Sequence, residues 1–224
     1  ILDISDNTKT ILTTSSFGGT WTPDYLKINY LKNVDEQVQL WQVNAQGKNP
    51  IKLISLDDIV LPDYVAWSNL GNHFFIQAAS GLYIYSISND FPTQLNITPN
   101  AKNAIWSPNG WRIAYRIEEG DIDSLWVSNI DGSDPQKVYQ GSLSEVNWLP
   151  DGRLVFFTPG KEGGAACWAL DPRNGSQELL ADSSVVFWKP VGPIAVSPDG
   201  DALAFEAQDQ QIWMLRLDVL GGNQ

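Results

Sequence analysis

AIWSPNGWRIAYRIEEGDIDSLWVSNIDGSDPQKVYQ, residues 104–140, is the stretch whose reading decides the fold. Residues 104–107 form a short apolar strand ending at Trp106, and Pro108-Asn109-Gly110 is a turn that Pro and Gly chemistry makes cheap. Residues 112–117 are a second strand. A polar, acidic loop over residues 118–123 leads to a third strand at Leu125-Trp126-Val127, and Asp131-Gly132 turns the chain into a fourth at residues 136–139. Four strands with hairpin-length links make one antiparallel sheet. Such a sheet has two apolar faces and does not stand alone, so further copies must stack on it.

The copies are present. Aligned on the first-strand aromatic and the turn, the chain reads Trp21-Thr-Pro-Asp, Trp67-Ser-Asn-Leu-Gly, Trp106-Ser-Pro-Asn-Gly, Trp148-Leu-Pro-Asp-Gly and Val196-Ser-Pro-Asp-Gly. An independent third-strand anchor agrees: Trp41, Tyr83, Trp126, Trp168 and Trp213 are spaced 42, 43, 42 and 45 residues apart. Two anchors in step, with four strands per period, predict an all-β chain folded as a β-propeller of four-stranded antiparallel blades. The expected blades run over about 21–60, 61–100, 101–140, 143–182 and 193–218, in a single domain.

Ser197-Pro198-Asp199-Gly200 followed by Ala202-Leu-Ala-Phe205, and Leu125-Trp-Val-Ser-Asn-Ile-Asp-Gly132, resemble the TolB-type propeller repeat, a WD40-like unit with a Pro-Asp-Gly turn. The resemblance covers nearly the whole chain. It is strong in the third and fifth repeats, good in the fourth, and degenerate in the first two, where Tyr25 and Leu70 interrupt the turn. It implies a fold rather than one activity, since that repeat serves periplasmic scaffolds, surface proteins and the propeller domains of certain peptidases alike.

Composition supports the all-β reading. The 224 residues are 43% apolar without an 18-residue apolar run, and 18 Gly with 13 Pro fall at turns. No membrane insertion is expected. Ten Trp residues are read first as blade-packing groups. The formal net charge of −12, with only 14 scattered basic residues, argues against nucleic acid and makes a cationic partner surface easier to accommodate. Cys167, the lone cysteine, reads as a small buried hydrophobe beside Trp168. Sparse Lys with abundant Asn, Ser, Thr and Gln points to an extracytoplasmic setting.

At the N-terminus, residues 1–4, 5–7 and 9–13 read as the end of a third strand, a turn and a fourth strand, whereas at the C-terminus the pattern stops after a third strand. Residues 1–14 are therefore expected to close the last blade, giving five blades. A sixth blade is the competing reading if residues precede Ile1.

Chemistry is thin by comparison. The single His73 falls in a turn, no G-x-S-x-G elbow occurs, and no His or Cys pair offers a metal site, so no catalytic residue, metal or cofactor is assigned. Asp63 and Glu145 enter first strands two blades apart, but nothing marks them as a matched acid pair. The links between blades and between second and third strands share one propeller face. There the chain offers Asp63, Tyr64, Lys102, Asn103, Glu118, Glu119, Asp121, Asp123 and Glu145, and an insertion at 183–193 carrying Phe187 and Trp188. These residues form the candidate face for a protein or peptide partner, an aromatic anchor on an acidic rim, unless Phe187 and Trp188 fold back to plug the channel. The expected function is a non-catalytic interaction or scaffold module. The alternative is the propeller domain of a carbohydrate-active enzyme or of a peptidase whose catalytic domain lies elsewhere.

Overall fold

Each repeat begins with a turn closed by the same few hydrogen bonds. The computed structural model describes residues 2–3, 8–9, 16–22, 24–56, 62–88, 91–119, 122–186, 190–207 and 210–217, with backbone only at 2–3, 8–9, 17, 62–64, 88, 91–95, 97 and 119. In the third repeat Gly110, at φ +72, donates its N–H to Ser107 O at 2.9 Å. The Ser107 hydroxyl donates to Asn109 Oδ1 at 2.8 Å and accepts the Arg112 N–H at 2.9 Å, while Asn109 Oδ1 also accepts the Trp111 N–H. Ser197 and Asp199 repeat this pattern in the fifth repeat, and Thr22 and Asp24 repeat it in the first. Side-chain oxygens thus absorb the turn's backbone donors, which would otherwise compete for water.

The two repeats that look interrupted keep the turn. Tyr25 takes the glycine position at φ +58 and still bonds Thr22 O at 2.8 Å, at the steric cost of a left-handed backbone for a residue with a Cβ. In the second repeat Leu70 stands where the others have Asp or Asn, so the buried Ser68 hydroxyl has no partner.

A two-stranded hairpin pairs β1 (Leu2–Asp3) with β2 (Thr8–Lys9). The first sheet contains β3 (Ser16–Trp21), β4 (Lys27–Val34), β5 (Gln37–Asn44) and β6 (Ile51–Leu56) in that order. The second contains β7 (Pro62–Trp67), β8 (His73–Ala78), β9 (Gly81–Ser88) and β10 (Phe91–Pro99). The third contains β11 (Ala101–Trp106), β12 (Arg112–Glu119), β13 (Ile122–Asn129) and β14 (Gln136–Gln140). The fourth contains β15 (Val146–Trp148), β16 (Leu154–Pro159), β17 (Ala165–Leu170) and β18 (Gln177–Ala181). Among the described residues the fifth has three strands, β19 (Ala195–Val196), β20 (Ala202–Glu206) and β21 (Ile212–Arg216). Of the fourth strand expected at residues 9–13, Lys9 lies in β2 opposite Leu2 and residues 10–13 lie outside the described residues.

One boundary differs from expectation. Glu118, Glu119, Ile122 and Asp123, expected in an acidic loop, are strand residues: Glu118 pairs with Asp123 and Glu119 with Ile122, which extends β12 and β13. The pairing is held by an Arg116 to Asp123 ion pair at 2.6 Å and by the Ser124 hydroxyl, which donates to Ile117 O at 3.1 Å.

The chain divides into two compact units, Ile1–Lys102 with Ile130–Ser133, and Asn103–Asn129 with Asp134–Gln224. In the first, Leu31, Val38 and Leu40 of the first sheet pack against Phe74, Ile76, Tyr83 and Tyr85 of the second. Asn96 Nδ2 donates to Gly132 O at 2.8 Å, which ties the 130–133 turn to this unit. In the second unit β16 serves both neighbours. Leu154 and Phe156 pack toward the third sheet, Val155 and Phe157 toward the fifth, and the Phe157 and Phe205 rings lie 5.2 Å apart. Consecutive strand residues point to opposite faces, so a strand buried on both faces reads as a continuous apolar run. Each fully buried Phe contributes on the order of 2–3 kcal/mol.

In all four four-stranded sheets the outer strand carries one extra residue near the third-strand anchor: Leu53, Leu95, Val138 and Leu180. Leu53, Val138 and Leu180 pack against the adjoining cores. A bulge that turns an added side chain inward lets the outermost strand contribute to the core.

Candidate functional site

Register fixes which loops share an end of each sheet. Arg112 pairs with Asn129 and Leu154 with Leu170, so the turns between first and second strands lie at the same end as those between third and fourth. The links between second and third strands lie at the other end, which is where sequence reasoning places the partner face.

At that link end the predicted residues meet different fates. Glu118 is exposed at the end of β12, directly across from Asp123. Asp123 is committed to Arg116, with both side chains mostly covered, at 20% and 14% exposure. Lys102 and Asn103 are exposed early in β11, and Glu145 is half-buried in the link before β15. Asp63 and Tyr64 lie in β7 and Glu119 ends β12, with only their backbones described; Asp121, Phe187 and Trp188 lie outside the described residues. The flanks of Phe187 and Trp188 are anchored. Val186 is buried in the core between the fourth and fifth sheets, and Pro190 bridges to Ala207.

Two grooves formed by described residues of the second unit open at the turn end. One groove of about 240 Å³ lies between the third and fourth repeats, lined by Ser107, Asn109, Arg112, Trp148, Asp151 and Arg173 among others. A second, of about 270 Å³, lies between the fourth and fifth repeats. Its lining combines the apolar Leu149, Pro150, Leu179, Leu180 and Leu217 with the charged Asp151, Arg153, Glu178, Asp199 and Asp201.

Local structure places these charges. Asp151 takes the turn's Asx position and accepts the Arg153 N–H at 2.9 Å. The Arg153 guanidinium spans Asp151 and Glu178, at 2.7 Å from each. Asp199 is held below the usual carboxylate range first by the Ser197 hydroxyl and then by the Asp201 N–H. In the 171–175 turn Asp171 is brought to about 2, chiefly by the Arg173 side chain, which grips both its oxygens at 2.8 and 2.7 Å. His73, in the other unit, bonds Asn72 Oδ1 at 2.9 Å, and burial pushes its pKa down against the opposing charge of Asp131. Burial pushes the Cys167 thiol up to about 12. Among the described residues no group of three or more His, Cys, Asp or Glu side chains could hold a metal ion. No helix there is long and apolar enough to cross a membrane.

The groove residues went unselected in sequence because the turns read as shared architecture. A signal existed. The position after the turn glycine differs in every repeat, being Leu26, Asn72, Trp111, Arg153 and Asp201, and two of these five line the larger groove.

No protein-family model matches the chain. Over 114 residues, 48% of the chain, it is 30% identical to the Tol-Pal system protein TolB of Anaeromyxobacter dehalogenans, so the match spans about a quarter (26%) of that relative. The TolB structure from Acinetobacter baumannii superposes on 92% of the chain and 52% of its own length, with TM-score 0.60 and 12% identity. The β-propeller domain of the Trilobed protease from Pyrococcus furiosus covers 96% of the chain and 72% of its own, with TM-score 0.66 and 10% identity. At such identities the structural likeness speaks for the fold alone. Repeated four-stranded sheets, recurrent Pro-Asp-Gly turns and these likenesses together give the chain a β-propeller type of fold whose repeats are similar to those of TolB.

Proposed function

We propose that the chain is a non-catalytic interaction module, acting outside the cytoplasm, that binds a protein or peptide partner. The observation that carries this reading is the state of the charged groups around the grooves. Arg153 is held between two carboxylates, Asp171 is held by Arg173, and Asp199 caps its own turn. A general acid or base works best with a pKa near the operating pH, and partners that hold carboxylates ionised move them away from it. Fixed charges beside apolar slots suit recognition instead. The name of the curated relative, a protein of the Tol-Pal system, supports a role within an assembly. Both ends of the sheets belong to the proposal, the turn end through its grooves and the link end through Asp63, Tyr64, Lys102, Asn103, Glu118 and Glu145, with Phe187 and Trp188 as the aromatic anchor.

A photoreactive amino acid placed at Glu118 or at Leu179 tests it. A discrete crosslinked partner from an extracytoplasmic extract, competed by unlabelled protein, is the expected outcome. Turnover of ester, peptide or glycoside substrates that a single substitution in this chain abolishes would overturn it.

A further inference from the structure

At two positions the larger groove differs from the first and third repeats. The residue opposite the third-strand anchor is Lys52 in the first sheet, Ile97 in the second and Lys137 in the third, and the Lys137 ammonium sits 5.9 Å over the Trp126 ring. In the fourth sheet that place, opposite Trp168, belongs to Leu179, which is 48% exposed and lines the groove. One substitution thus both removes a cation and leaves apolar surface open. The same groove is lined by Asp201 where the first and third repeats have Leu26 and Trp111.

The charges do not cancel. Arg153 is shared by Asp151 and Glu178, so that trio carries an excess negative charge, to which Asp199 and Asp201 add two more. The nearby cation acting on Asp199 is Arg216. A groove that sets the exposed Leu179 beside an excess of carboxylates complements a segment carrying an aliphatic and a cationic side chain.

Resting on the interaction-module reading above, we propose that this groove is a docking site for a cationic peptide segment of a protein partner. The segment seats one aliphatic side chain over Leu179, Leu180 and Leu217 and sets a neighbouring Lys or Arg against Asp199 and Asp201. Arg153 stays with its own carboxylates.

The test is fluorescence anisotropy with a labelled Gly-Leu-Lys-Leu-Arg-Gly peptide, compared with the same peptide carrying Glu in place of Lys and Arg. The cationic peptide binds at least about tenfold tighter, and raising salt from about 25 mM to about 250 mM weakens it severalfold as the charges are screened. The double variant Asp199→Asn/Asp201→Asn loses about tenfold in affinity, equivalent to one decade in Kd. Asn is tolerated in this turn, since Asn109 makes the same hydrogen bonds in the third repeat. Leu179→Lys, which restores the residue of the first and third sheets, abolishes binding while circular dichroism and the unfolding midpoint stay as in the parent. Absence of binding, equal binding of the acidic peptide, or unchanged affinity in these variants overturns the groove assignment. If the peptide instead loses affinity with Glu118→Gln and Glu145→Gln, the groove assignment falls and the interaction module stands.

Discussion

Asn29 and Gln42 form a polar pair in a place the other repeats fill with carbon. They are cross-strand partners on β4 and β5, 1% and 4% exposed, and Gln42 Nε2 donates to Asn29 Oδ1 at 3.0 Å. At the same register the other sheets have Phe75 with Ile84, Ala114 with Val127, Val155 with Ala169 and Ala204 with Met214. Gln42 Oε1 is buried without a partner, so the pair is already incompletely satisfied. Replacing Asn29 alone by Leu also strands the Gln42 Nε2 donor, and an unpaired buried polar group costs about 1–3 kcal/mol. Gln42→Leu strands the Asn29 oxygen at a similar cost. The double variant removes both amides at similar volume and falls within about 1 kcal/mol of the parent, because replacing both partners by apolar groups is nearly neutral. With a near-neutral double variant the coupling energy is therefore about 2–6 kcal/mol in its favour. Urea unfolding followed by tryptophan fluorescence measures all four proteins, with a common denaturant slope required before midpoints are compared. A double variant whose loss equals the sum of the singles would refute the reasoning.

Other parts of the chain give further expectations. Tyr25→Gly relieves a left-handed tyrosine that is 74% exposed, and raises stability by about 0.5–1 kcal/mol after the added chain entropy of glycine, read as an upward shift in thermal midpoint. Ser197→Ala removes the hydroxyl that bonds Asp199 and the Ala202 N–H and costs about 1 kcal/mol, whereas Ser68→Ala, at the hydroxyl without a partner, costs less; equal losses in urea unfolding would contradict the turn account. Asp171 has a folded pKa of about 2, below its ordinary value, so its contribution is present above the unfolded pKa and lost as pH falls toward 2. Asp171→Asn should flatten that part of the pH dependence of the urea midpoint. Cys167 is fully buried with its thiol pushed to about 12, so a thiol reagent at pH near 8 should modify it only as fast as the protein opens, and rapid labelling of the folded chain would contradict its placement.

Much of the fold is written locally, and so was legible. The turn repeat works through contacts no more than five residues apart, as from Ser107 to Arg112, and short-range chemistry survives translation into a one-dimensional pattern. Even where Tyr25 replaces glycine, the surrounding Thr22, Asp24 and Lys27 hold the turn. The length of β12 and β13 was not legible. Glu118, Glu119 and Asp123 look like loop residues by composition, and the cross-strand Arg116 to Asp123 ion pair and the register extend the hairpin through them.

The sequence by itself determined the repeating blade, its strand order and the place of each aromatic anchor, because periodic spacing and turn chemistry are properties of neighbours along the chain. The tertiary structure decided which surface opens between repeats. The larger groove joins Asp151 and Glu178 of the fourth repeat, linked through Arg153, to Asp201 of the fifth, which lines the same groove only because the two sheets stack. It also decided that Asp123 is committed to Arg116 while Leu179 stands exposed, since burial and partnership depend on what the opposite strand and the next sheet bring near.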